Sequence, residues 1–154
     1  MSSDRLTLLA VDDERSPLED LARILRGSPS VREVECAADG REALHHITRQ
    51  AYDGIFLDVR MPDLDGLELA HVLRNFAHQP QLVFVSAHDG AAVEAFERQA
   101  LDYLRKPVAS GRVQEAVERI AVAVASGETS GGAPAPTRPA PEDDEMVAAA
   151  NLRG

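Results

Sequence analysis

Four short runs in this chain each lead into side chains that can do chemistry. Leu6–Val11 ends at Asp12-Asp13-Glu14, Ile55–Leu57 at Asp58, Leu82–Val85 at Ser86, and the more mixed Leu101–Arg105 at Lys106. In an open α/β sheet, ligands bind beyond the carboxyl ends of the strands. If the four runs are neighbouring parallel strands, three carboxylates, a hydroxyl and an ammonium meet at one edge. Two like charges ~4 Å apart repel by about 4 kcal/mol at an effective dielectric near 20, and a divalent cation relieves this. Oxygen-only ligands with few carboxylates suit Mg2+, which keeps waters and often takes phosphate oxygens. A hydroxyl and an ammonium beside such a site match a phosphoryl group, whose charge spreads over three oxygens. A carboxylate can also be the nucleophile and form an acyl phosphate. Asp58 is the central candidate, although a strand ending in aspartate is equally compatible with a turn or a cap.

The elements that would position these groups follow from periodicity. Leu6–Val11 is too short for a typical helix and suits a buried strand. Ser16 fits an N-cap, with Pro17 at the first helical position and Glu19 completing a capping box. Leu18, Leu21, Ala22 and Leu25 share one face, and Gly27 can end that helix in a left-handed conformation. Val31–Ala37 is a more polar strand, as at a sheet edge. Asp39 with Glu42, and Asp65 with Glu68, repeat the capping pattern before two further helices. The fourth strand, Leu82–Ser86, precedes an Ala-rich helix that starts near Asp89 or Gly90 and has few large apolar residues. The fifth strand is Leu101–Arg105. Ser110 caps a last helix with Val113, Ala116, Val117, Ile120 and Val124 on its buried side.

This is a (βα) unit five times over, which implies an α/β fold: a doubly wound parallel sheet, flavodoxin-like, in strand order 2-1-3-4-5. The first domain spans residues 5–125. From 126 to 154 the chain is rich in Gly, Pro and Ala and carries the acidic run Glu142–Glu145. Such a segment buries too little apolar surface to fold alone and reads as a disordered linker or tail.

Composition narrows the function. Hydrophobic residues make up 44% of the 154 and charged residues 27%, as in a soluble globular domain. The net charge of −10 argues against direct nucleic-acid binding by this chain. It serves solubility or marks carboxylates gathered around a cation. The single Cys36 excludes an internal disulfide and a multi-thiolate metal site, and reads as a small core side chain. No apolar run reaches the ~18 residues needed to span a bilayer, and no signal-peptide pattern is seen, so a cytoplasmic location is expected. His45 and His46 are adjacent on a helix and point apart. His71, His78 and His88 lack ligand spacing.

Val11-Asp12-Asp13-Glu14, Leu57-Asp58-Val59-Arg60-Met61-Pro62-Asp63-Leu64-Asp65-Gly66, Ser86-Ala87 and Lys106-Pro107 together resemble the receiver domain of two-component response regulators. The resemblance covers residues 5–124. Ala95-Phe96-Glu97 and Ala100-Leu101-Asp102-Tyr103-Leu104 look more narrowly like receivers of LytTR (LytR/AlgR-type) regulators. It implies a phosphoacceptor role for Asp58. It implies that Asp12, Asp13, Asp58 and the backbone carbonyl of Arg60 bind Mg2+. Ser86, the N–H of Ala87 and Lys106 would bind the phosphoryl group, Tyr103 would be the aromatic switch, and the bond before Pro107 would be cis. Arg60 and His88 match positions that tune phosphorylation and dephosphorylation rates. A sensor histidine kinase is the implied donor. A phosphorylation-dependent homodimer through helix 4, strand 5 and helix 5 is the implied response, with control of a LytTR-type transcriptional output domain.

Such a domain is a signalling phosphoacceptor rather than an enzyme, apart from assisting its own phosphotransfer and slow autodephosphorylation. Two other classes compete. A haloacid dehalogenase-like phosphohydrolase would want a second carboxylate two residues after the nucleophile, where this chain has Arg60. A phosphorylation-independent binding module on the receiver fold would have no need of the full acidic set.

Overall fold

A computed structural model describes residues 5–61, 66–87 and 100–127. Five strands alternate with helices: β1 (Leu6–Val11), α1 (Arg15–Arg26), β2 (Val31–Ala37), α2 (Gly40–Arg49), β3 (Gly54–Asp58), α3 (Gly66–Leu73), β4 (Gln81–Ser86), β5 (Asp102–Arg105) and a closing helix, Ser110–Ala125. The helix expected between β4 and β5, like the tail beyond 127, lies outside the described residues. The sheet is parallel throughout, in the order β2-β1-β3-β4-β5. That is the order the sequence predicts.

Why the central strands form is plain from their burial. Every residue of β1, β3 and β4 is buried, because helices cover both faces of the sheet. On one face, Leu8, Ala10, Phe56 and Val83 pack with Leu18, Leu21 and Leu25 of α1 and with Val113, Val117 and Ile120 of the closing helix. On the other, Leu9, Ile55, Leu57 and Phe84 pack with Ala43 and Ile47 of α2 and Leu69 and Leu73 of α3. At the β2 edge, Arg32 and Glu33 face solvent. Cys36 is half-buried against the first core, and burial pushes its thiol up from the ordinary value.

Helix ends depart from the sequence reading in three places. First, α1 starts at Arg15, with Glu14 rather than Ser16 at the cap and no side-chain cap bond. The Glu14 N–H instead donates to Asp12 Oδ1 at 2.9 Å, so the turn is fixed earlier by a site carboxylate. Pro17 is then the third helical residue, where its missing N–H still costs no bond. Second, Gly27 has φ −78, not a left-handed value. The chain continues into tight turns, Ser28 N–H to Leu25 O and Val31 N–H to Ser28 O, which need no positive φ. Third, the closing helix is capped by Ala109, with Ser110 already helical and no side-chain cap bond. Val124 is 37% exposed and Ala123 takes the buried position. The Asp39 cap is as expected, accepting from Glu42 N at 2.8 Å, while Glu42 Oε1 accepts from Ala38 N.

Gly54 opens β3 where strand and closing helix approach closely. A Cβ built there would lie 2.7 Å from Ile120 Cδ1 and 3.1 Å from Leu8 Cδ2. Gly54→Ala should therefore destabilise the fold by about 1–3 kcal/mol, the usual penalty for overpacking. Adding Ile120→Val, which removes the clashing methyl, should recover part of the loss. Denaturant midpoints of the two variants check this.

Candidate functional site

β1, β3, β4 and β5 are consecutive in the sheet apart from the peripheral β2, so their carboxyl ends meet at one edge. Asp12 follows β1 directly and its N–H still bonds Ala37 O of β2 at 3.1 Å. Asp58 ends β3 in register with Val85, and Val59 N–H continues to Val85 O. Lys106 follows β5 and its N–H bonds Ser86 O at 2.9 Å. The backbone ladder itself thus sets the spacing of the functional groups.

Their side chains converge. Lys106 Nζ lies 2.8 Å from Asp12 Oδ2 and 3.5 Å from Asp58 Oδ2. Asp12 and Asp58 are almost wholly buried, at 4% and 6% exposure, whereas Asp13 is exposed. Asp12, Asp13 and Asp58 each offer a carboxylate oxygen, and these lie within 4.8 Å of one another. Asp58 Oδ1 also accepts from Arg60 N at 3.3 Å, which turns that residue's backbone around the site.

The electrostatics follow from this crowding. Burial first, and the Asp12 charge second, push the Asp58 carboxyl up to about 7 against the opposing pull of Lys106 and the Arg60 N–H. For Lys106, burial works to lower its affinity for a proton. The bond to Asp12 and the charges of Asp58 and Asp12 outweigh burial and leave it raised. The cluster is therefore an acidic pocket with one ammonium at its wall. Its donors are hard oxygens, and no thiolate or imidazole joins them in the clustered set, which fits Mg2+ rather than a softer metal.

Most of the other expected residues lie on or just beyond β3, β4 and β5. Ser86 is buried at the end of β4, Ala87 next to it is exposed, and Arg60 is exposed beyond Asp58. The Lys106–Pro107 peptide is cis. Tyr103 is half-buried on β5, in register with Phe84 and packed against the second core. His88 lies outside the described residues.

One pair was not anticipated. The Asp102 carboxylate, its side chain 6% exposed, is held by Arg112 of the closing helix, at 2.6 Å from Nη2 and 3.0 Å from Nη1. The available signal was an aspartate in the fifth strand with an arginine in the first turn of the next helix.

A doubly wound parallel sheet with three aspartates and a lysine at its strand ends is the architecture of a receiver-type domain. Comparison with known proteins agrees: residues 8–118 match the model of the response regulator receiver domain. The chain belongs to that family, the receiver domains of two-component systems. It is 39% identical over 115 residues to an uncharacterized response regulatory protein of Vibrio cholerae, covering 75% of this chain and 48% of that one. It is 34% identical over 125 residues to the transcriptional regulatory protein LytR of Staphylococcus aureus, covering 81% and 51%. The chain thus spans about half the length of these curated relatives. The crystal structure of the response regulatory domain of MrkE from Klebsiella pneumoniae superposes with a TM-score of 0.70 at 32% identity, covering 79% of this chain and 99% of that one. Among the described residues no helix is long and apolar enough to cross a membrane.

Proposed function

We propose that this chain is a phosphorylation-activated switch in which Asp58 accepts a phosphoryl group from a sensor histidine kinase. The observation that carries this is the placement of the Asp58 carboxylate. It lies within an acidic cluster that includes Asp12 and Asp13, and it shares with Asp12 one ammonium, that of Lys106. In the transfer, an Asp58 oxygen forms the new bond to phosphorus as the bond to the kinase histidine nitrogen breaks, and the imidazole, protonated on its other nitrogen, leaves as the neutral ring. Asp12, Asp13, Asp58 and the Arg60 carbonyl would hold Mg2+, which supplies charge neutralisation for the phosphoryl oxygens. Lys106, the Ser86 hydroxyl and the Ala87 N–H complete the cradle. Arg60 beside the site, and His88 two positions after Ser86 in the sequence, set how quickly water removes the phosphoryl group.

The added charge draws Ser86 and Lys106 toward Asp58, and Tyr103 changes its burial. The surface of the predicted fourth helix, β5 and the closing helix then gains affinity for a second copy. In this reading residues 5–125 are the receiver and 126–154 a linker or tail. Similarity to LytR supports control of a LytTR-type transcriptional output, in the cytoplasm, with no nucleic-acid contact by the receiver itself. The test is labelling by a small radioactive phosphodonor with Mg2+. The parent should acquire an acid-stable, base-labile label and Asp58→Asn none; equal labelling of the variant rules the assignment out.

A further inference from the structure

β5 is an edge strand of the sheet among the described residues, so one side of its backbone lacks a neighbouring strand. At Tyr103 two side chains take that neighbour's place. The Tyr103 N–H donates to Asp102 Oδ1 at 2.8 Å, and its carbonyl accepts from Arg112 Nη2 at 3.2 Å. The same guanidinium grips both Asp102 oxygens, and Arg119 Nε approaches Asp102 Oδ2 at 3.9 Å. Asp102 is 6% exposed at its side chain, while Arg112 is 40% exposed and Arg119 61%. The carboxylate is thus sealed beneath arginines from the closing helix. Burial disfavours the Arg112 charge less than the Asp102 bond favours it, so its proton affinity is raised. A bidentate pair of this kind fixes orientation as well as distance.

We propose that Arg112 is a positioning residue for Tyr103: with Asp102 it locks the Tyr103 backbone to the closing helix. A change at Tyr103 is then passed to that helix instead of being absorbed by a loose edge strand. The inference rests on the switching role given to Tyr103 above. It adds the mechanical link by which a side chain on β5 speaks to a helix that begins seven residues later. Three links act on one short segment: the Ser86–Lys106 ladder bond on the β4 side, and the Asp102 and Arg112 bonds to Tyr103.

The experiment has two arms on the full chain. In the first, amide hydrogen exchange is measured without any phosphoryl analogue. Arg112→Met should lower protection of the Tyr103 amide by about tenfold while Leu57 and Phe84 in the central strands keep theirs. Asp102→Asn, which keeps an oxygen toward that amide but loses the full ion pair, should fall in between and guards against a misfolded variant. In the second arm the protein is made with fluorotyrosine. Only Tyr52 and Tyr103 are present, and buried Tyr52 serves as the internal reference. Beryllofluoride with Mg2+ should shift the Tyr103 resonance of the parent. In Arg112→Met the shift should shrink at least twofold at saturation, with beryllofluoride affinity within about threefold of the parent. Uniform loss of protection, or a full shift in the variant, overturns the proposal. Failure of the parent to bind beryllofluoride overturns the phosphoryl reading first, and with it the coupling, whereas the first arm still reports on the lock.

Discussion

At pH 8 without divalent cations, Asp58→Asn is expected to be more stable than the parent by about 2 kcal/mol. The gain should fade as the pH is lowered toward 4. Asp58 is pushed up to about 7 from an ordinary 3.8, chiefly by burial and then by Asp12. A carboxyl that holds its proton more tightly when folded makes stability fall as pH rises. Below 3.8 both states are protonated and nothing is lost. Between 3.8 and about 7 the folded state keeps a proton the unfolded chain has released, and above about 7 the full penalty stands. The shift corresponds to about 4 kcal/mol at 1.36 kcal/mol per unit, and screening by water at the pocket rim reduces it to roughly half. Asn is neutral at every pH, so the difference between variant and parent isolates this one group. Urea unfolding at pH 4, 6 and 8 measures it. Adding Mg2+ should stabilise the parent and leave the variant nearly unchanged. A variant that is less stable at pH 8 would mean that attraction to Lys106, not burial and repulsion from Asp12, governs the pocket.

Strand identity and order were legible because burial on both faces leaves almost uninterrupted apolar runs, as in Leu8-Leu9-Ala10-Val11 and Leu82-Val83-Phe84-Val85. The pocket was legible for the same reason: each polar group stands where such a run stops, and a parallel sheet brings those stops together. The helix caps were less readable because a cap is a competition. Ser16 looks like the better cap, but Asp12 takes the Glu14 N–H two residues earlier and starts the helix before Ser16 can act. At Ser110 the first helical turn is held from outside by Arg112 on Asp102, so a side-chain cap is dispensable. The Asp102–Arg112 lock was invisible to periodicity, since it joins residues ten apart across a turn whose path only the tertiary fold sets. The near contact of Gly54 with Ile120 was hidden likewise, because 66 positions of sequence separate two groups that meet in the core.

Lys106→Met should cost the parent about 3 kcal/mol at pH 8, more than any other single change in the pocket. Lys106 is the chain's one lysine, and its ammonium contacts both Asp12 and Asp58. Removing one partner of a buried pair leaves the other charges unpaired, typically at 3–5 kcal/mol, and the partial solvent access of this ammonium puts the value at the lower end. The proton affinity of Lys106 is raised, so its contribution is fully present below the ordinary lysine value. It is lost only as the pH climbs through the folded one, and pH 8 lies safely within the plateau. Two additions should repair the variant by different routes. Mg2+ replaces positive charge among Asp12, Asp13 and Asp58, so millimolar Mg2+ should restore much of the stability. Asp58→Asn in the same chain removes the repulsion itself, so the double variant should be more stable than Lys106→Met alone and indifferent to Mg2+. If instead the two substitutions add without interaction, the 2.8 Å and 3.5 Å contacts of Lys106 are energetically independent, and the view of the pocket as one coupled charge cluster fails.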